Sequence, residues 1–318
     1  MSEKIESNEK MDFDLNSNTS EKIFKKPLLW FFVFTFIWSW LLFLPNVLKS
    51  FNIVSFPDFL GAIFSGFAIF GPTIIALIIT AVNDGKTGIK LLLKKMIQLK
   101  FSKIWFIPTI IIPLCIAGAA FLISIGAFGY TLADNYYNVG FIVGAVFISF
   151  FVGGPLAEEL GWRGFALDHL QNKWNALTSS IILGIIWSLW HLPLHFIIGT
   201  TQYYIPIWAF LLMTTTSNIL YTWLYNNTNR SILITMLFHW FGNIGGALLP
   251  YWQLGVIEST SLNSHYWLPT YGMLVGFAIN LVIVLAVIFL FKSRKMMLEE
   301  REINKNLNEN GNSDETKV

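Results

Sequence analysis

The sequence predicts an all-α, polytopic membrane protein of about eight transmembrane helices that enclose an intramembrane cavity. Three observations predict it. Of 318 residues, 54% are hydrophobic and only 13% charged, against about 25% charged in a typical soluble domain. The aromatic load is heavy, with 29 Phe and 13 Trp. The charge that exists is gathered at the two ends of the chain and in short connections, leaving apolar runs long enough to cross a bilayer. A net charge of +2 with so few charges excludes a nucleic-acid binder and a globally disordered chain. Cys115 stands alone, so no intramolecular disulfide is available, and its apolar run suggests a small buried residue.

Residues 1–26 mix Lys4, Lys10, Lys22, Lys25 and Lys26 with Glu3, Glu6, Glu9, Asp12, Asp14 and Glu21, and read as a disordered tail. Apolar runs follow at about 27–48, 59–82, 104–128, 138–157, 176–198, 204–225, 231–253 and 270–291. At 1.5 Å rise per residue, each such run can cross a hydrocarbon core of about 30 Å. The stretch 84–103 differs. Its six Lys interleave with Ile and Leu, the pattern of a basic amphipathic helix on a membrane surface. Residues 292–318 form a second charged tail. With eight spans both tails share one side, and of the 21 Lys and Arg all but Lys49 fall on that side. The positive-inside rule makes it cytoplasmic, which places the protein in the cell membrane with both termini inside.

Between Ile104 and Phe291 the only basic residues are Arg163, Lys173 and Arg230, and the only acids are Asp134, Glu158, Glu159, Asp168 and Glu258. Asp134 and Glu258 fall in outer loops. Glu158, Glu159 and Arg163 follow directly on an apolar run. An ionised group at the membrane centre costs roughly 2.5–3.5 kcal/mol on insertion scales, so such groups face a protein interior or water and pair with one another. Glu159 and Arg163 are i,i+4, on one helix face, while Glu158 points about 100° away. Gly153-Gly154-Pro155 before them breaks a helix, which is tolerated at membrane depth where the backbone lines a cavity. The bland alternative is a salt bridge that pins two helices.

Of five His, His169 and His265 lie in connections. His191 sits in Trp187-Ser188-Leu189-Trp190-His191, within an apolar span, and His239 lies in another, with Asn243 at i,i+4 on the same face. A lone His in such a helix is more often a packing residue. Three spans each bearing a polar group of this kind suggest a site. His191 and His195 also have metal-ligand spacing, but Pro193 distorts the helix between them, and His195 is expected near the outer surface. Together Glu158, His191, His239 and Asn243 supply the parts for hydrolysis. A carboxylate and an imidazole can hold and deprotonate water, and a second imidazole and an amide can donate to an oxyanion. No Ser or Cys nucleophile is paired with a base. No cofactor is fixed by these residues, and metal assistance stays open: Glu158, His191 and His239 could bind zinc with an open site.

Three segments then resemble known motifs. Glu158-Glu159-Leu160-Gly161-Trp162-Arg163 resembles the E-E-x-x-x-R motif of the CAAX prenyl endopeptidase and bacteriocin-processing family (CPBP, or Abi). Trp187 to His191 resembles its F-x-x-x-H motif, and His239 to Asn243 its H-x-x-x-N motif. All three fall within residues 138–250, in the family's order. Trp187 replaces the motif's Phe and is expected to keep an aromatic wall without touching the chemistry. The resemblance implies an intramembrane endopeptidase, glutamic or metal-assisted, acting on a membrane-associated protein or peptide. It implies that Glu158 activates water, that His191 positions it, that His239 and Asn243 form the oxyanion site, and that Glu159 and Arg163 support them. A non-enzymatic immunity or binding protein of the same fold is a second reading. An ion-coupled transporter is a third, against which the lack of an internal repeat counts.

Overall fold

The computed structural model describes residues 23–128, 139–249, 251, 271–291 and 296. Most of the two tails, the loops holding Asp134 and Glu258, and His265 lie outside the described residues. Every regular element among those described is helical. In chain order they are α1 (Pro27–Ser50), α2 (Asp58–Ile69), α3 (Gly71–Lys94), α4 (Phe106–Phe128), α5 (Val139–Val143), α6 (Ser149–Val152), α7 (Pro155–Glu159), α8 (Asp168–Gln171), α9 (Ala176–Trp190), α10 (Ile207–Asn227), α11 (Ile232–Leu248) and α12 (Tyr271–Phe291). Two π-helical stretches, Gly144–Ile148 and Leu160–Leu167, bridge α5 to α6 and α7 to α8.

Among the described residues, four stretches can cross a membrane by length and composition: Pro27–Ser50, Lys103–Ala127, Ala176–Phe196 and Tyr271–Phe291. The pair α2 and α3, bent by 43°, makes a fifth if counted as one span. The expected eight are therefore not reached by this measure, for three physical reasons. The run 138–157 is interrupted by a π turn and then by Gly153-Gly154. Helix α10 carries Thr214, Thr215, Thr216, Ser217 and Asn218 at its middle, which lowers its hydropathy. Helix α11 is apolar but only 17 residues long. The basic stretch after residue 84 continues α3 across a kink at Gly85, whose φ of +64° is open to glycine at little cost.

Helix ends follow local signals. Pro27 opens α1, and the Asn175 side chain caps α9 by accepting from the Thr178 N–H at 2.9 Å. Helix α9 stops at His191, where Pro193 turns the chain into a 3-10 stretch. In a bilayer, apolar packing gains little over lipid contact, so close packing and interhelical hydrogen bonds select neighbours. Here Asn46 Nδ2 donates to Gly61 O at 2.8 Å and Ser39 Oγ to Ala68 O at 2.7 Å, tying α1 to α2. Trp40 Nε1 donates to Trp190 O at 3.0 Å, tying α1 to α9. The core centres on Trp162, whose ring meets Phe31 at 5.5 Å and Trp190 at 5.8 Å. Large apolar side chains such as Leu41, Leu122, Phe147 and Phe289 are left exposed on the outside, as contact with lipid requires. Cys115 is among the exposed residues, contrary to the expectation of burial: its face of α4 looks outward.

Several connections meet one another. Lys95 pairs with Asp168, Tyr225 Oη donates to Asp168 at 3.1 Å, and Arg230 lies 3.8 Å from the same carboxylate. Phe24 and Asn83 exchange two hydrogen bonds at the same junction of α1 and α3, and Asn227 donates to Met296 O at 2.7 Å. Lys49 pairs instead with Asp58 at 2.6 Å, between α1 and α2. Arg163 departs from the topological count, because it is fully buried rather than placed in a connection.

Candidate active site

The site begins at the helix break. Helix α6 ends at Val152, and Gly154 takes φ +111°, a conformation that a side chain would strain. Pro155 then opens α7, and the Glu158 N–H donates to Gly154 O at 2.7 Å. The short helix thereby presents Glu158 and Glu159 inside the protein, 4% and 0% exposed. It passes at once into the π-helical turn that carries Arg163. π turns of this kind recur at functional sites because they re-aim side chains.

Glu159 and Arg163 pair as their spacing predicts, Nη1 donating to Oε1 at 2.8 Å with both side chains fully buried. Both terminal nitrogens of the guanidinium are engaged, while its buried Nε has no hydrogen-bond partner. Nη2 donates to Asn218 Oδ1 at 2.8 Å, and Asn218 Nδ2 in turn donates to Ser180 O at 2.6 Å. The Arg163 Cζ lies 4.2 Å from the centroid of the Trp187 ring and 3.9 Å from that of the Tyr221 ring, favourable cation–π distances. This is more than a pin between two helices. It joins the π turn to α9 and α10.

Glu159 also reaches α11, where its Oε1 lies 2.8 Å from Nδ1 of His239. A carboxylate oxygen accepts, so Nδ1 carries the proton and Nε2 is the atom left for the site. His191 is set in the same manner. Its Nδ1 donates to Trp187 O, one turn back, at 2.7 Å, and Nε2 is again free. Phe210 packs against the His191 ring at 5.2 Å. Asn243 uses one amide N–H on Gly153 O, at 2.8 Å, and retains a second.

Glu158 takes a different partner from Glu159. Trp187 Nε1 donates to Glu158 Oε2 at 2.7 Å, between buried groups. This corrects the expectation that Trp187 would stay clear of the chemistry, since the indole, unlike a phenyl ring, has a donor. The other oxygen, Oε1, lies over Gly154. A methyl group built on Gly154 would collide with Oε1 and would sit 2.8 Å from Cε1 and 3.1 Å from Nε2 of His239. The bare glycine is what lets the Glu158 carboxylate and the His239 imidazole approach one point.

Trp187, His191, Tyr221, His239 and Asn243 all line a cavity of about 220 Å³. Apolar side chains including Ile116, Phe210, Met213 and Phe238 complete it, with Gln202, Ser217 and Asn280 as polar points. The volume holds several waters or part of a peptide, at about 30 Å³ per water. His195 lies outside this set. It is buried, 1% exposed, with Nδ1 donating to Ile205 O at 3.0 Å. No group of three or more His, Cys, Asp or Glu among the described residues is arranged to hold a metal ion. With Nδ1 of His191 and His239 donating to protein, Nε2 of each is the nitrogen that a metal would use. Sequence reasoning missed Trp187 as a donor, Asn218 and Tyr221. The visible signal for Asn218 was an amide within an otherwise apolar run.

Two comparisons bear on this arrangement. Residues 139–245 match the family model described as type II CAAX prenyl endopeptidase Rce1-like. The chain is also 29% identical over 229 residues to a protein of Methanococcus maripaludis named CAAX prenyl protease 2, covering 69% of this chain and 83% of that one. The resemblance carried by the three motifs is borne out, and the family and the relative are both named for proteolysis. The matched segment contains Glu158, Glu159, Arg163, His191, His239 and Asn243.

Proposed function

We propose that the protein is an intramembrane endopeptidase that hydrolyses a peptide bond of a membrane-associated protein or peptide with water activated by Glu158. The observation that carries the reading is the convergence of Glu158 Oε1 and His239 Nε2 over Gly154, beside a cavity lined by His191, His239 and Asn243 but not by Glu158 itself.

The steps follow from the atoms left free. Water sits between Glu158 Oε1 and His191 Nε2, which accept its two protons' hydrogen bonds. Glu158 removes one proton as the water oxygen attacks the carbonyl carbon. General-base action of this kind supplies about 10²–10⁴-fold. The developing oxyanion takes the second N–H of Asn243 and an N–H from Nε2 of His239. The latter requires the doubly protonated imidazole, whose charge Glu159 balances from the Nδ1 side. Such donors are worth about 10²–10³-fold each. Glu158 then delivers its proton to the leaving amine, so the base ends as it began. No step is assigned to a metal. Both termini are placed in the cytoplasm, with the broken segment 139–152, α10 and α11 completing eight crossings.

The test is a purified protein in lipid nanodiscs, assayed on membrane-anchored peptides, prenylated and acylated. Wild type is expected to cleave at least one class, with His239→Ala and Glu158→Gln inactive. Peptide binding without cleavage by wild type would favour the non-enzymatic reading, and Glu158-dependent ion flux would favour a transporter.

A further inference from the structure

Trp187 touches more of the site than any residue assigned a step. Its indole N–H holds Glu158 Oε2 at 2.7 Å, and its ring covers Arg163 at 4.2 Å. Its edge meets His239 at 5.6 Å, and its carbonyl fixes the proton of His191 at 2.7 Å. The position is an aromatic wall in the resembled motif, where Phe would fill the space and hold nothing. The bond is not a general property of buried indoles in this protein, because the Nε1 atoms of Trp162, Trp190 and Trp223 are buried with no hydrogen-bond partner.

We infer that Trp187 is a positioning residue that decides which oxygen of Glu158 does the chemistry. A glutamate carboxylate rotates about a broad, two-fold torsion, and its oxygens are equivalent until something distinguishes them. The indole N–H only donates. It therefore engages one oxygen, Oε2, and turns the other, Oε1, toward Gly154 and His239. When Oε1 takes the proton of water, Oε2 remains an acceptor, so the indole bond persists while the charge on the carboxylate changes. The carboxylate stays aimed through both proton transfers. With Phe at this position the wall would remain and the aim would be lost.

This inference rests on Glu158 acting as the base, so the experiment separates the two. The protein is studied in nanodiscs as Trp187→Phe and with 3-benzothienylalanine at position 187, which keeps the indole shape and replaces N–H by sulfur. On the peptide that wild type cleaves, both variants are expected to lose about tenfold or more in kcat, with KM within twofold, as loss of a hydrogen bond to a charged group implies. If Glu158→Gln is inactive while both variants keep the wild-type kcat, the role of Trp187 is refuted and the proposed function stands. If only Phe is impaired, the residue acts by packing and the inference also fails. If Glu158→Gln cleaves normally, or wild type cleaves nothing, both readings fall. A second measurement does not depend on turnover. The Trp187 indole proton, assigned by its loss in Trp187→Phe, is expected downfield in nitrogen–proton spectra and displaced by Glu158→Gln. An indole signal indifferent to Glu158→Gln would overturn the inference.

Discussion

Nδ1 of His239 stands 2.8 Å from Oε1 of Glu159, the same oxygen that accepts from Arg163 Nη1 at 2.8 Å. One carboxylate oxygen therefore orients an imidazole on α11 and closes an ion pair with its own helical turn. The second motif residue of the acidic pair is structural in its contacts, and through His239 it reaches the cavity.

Removing the cation should be severe. Arg163 is fully buried, and Arg163→Ala removes the guanidinium from a buried ion pair, leaving Glu159 with His239 alone. A loss of about 3–5 kcal/mol is expected, seen as a fall in the thermal midpoint in detergent. Arg163→Lys should recover only part of it, because one ammonium cannot reach both Glu159 and Asn218 as the planar guanidinium does.

Gly154→Ala should disable the site through geometry alone. The new methyl would meet Glu158 and His239 where they converge, at a φ of +111° that costs about 1–3 kcal/mol in strain. Turnover is expected to fall by about 100-fold, the scale of a 1 Å misplacement of reacting groups. Folding, followed by size-exclusion chromatography, should survive.

Asn243 is assigned a donor's role, so size should not rescue it. Asn243→Ala and Asn243→Asp are both expected to reduce kcat by about 10²–10³-fold with KM little changed. A near-normal rate for Asn243→Asp would remove the residue from the oxyanion site.

Asp168 supplies the contrast. It binds Lys95, Tyr225 and Arg230 where the connections meet, away from the cavity. Asp168→Asn should lower stability by about 1–3 kcal/mol and leave the kcat of the folded protein unchanged. A matching loss of kcat would show that this junction communicates with the site.

Much of this arrangement is legible in the chain because scarce charge in an apolar setting has few uses. The apolar run 27–48 is seen as Pro27–Ser50, and 270–291 as Tyr271–Phe291. The i,i+4 pair of Glu159 and Arg163 forms as spacing requires. What escapes is contact between distant helices. Trp187 reads as a wall because periodicity does not show where an indole N–H points. Asn218 and Tyr221 are ordinary in α10 until Arg163 arrives from the π turn. The π turn that carries Arg163 leaves no repeat in the sequence. Cys115 illustrates the converse. Apolar surroundings in sequence do not separate a core face from a lipid face.

The most direct measurement compares cleavage of a membrane-anchored peptide by wild type and by Glu158→Gln in the same nanodiscs. The substitution keeps shape and an acceptor for the Trp187 indole but removes the base. The account predicts that the substituted protein folds, binds the peptide and cleaves at least 10²-fold more slowly. Cleavage at the wild-type rate would contradict it.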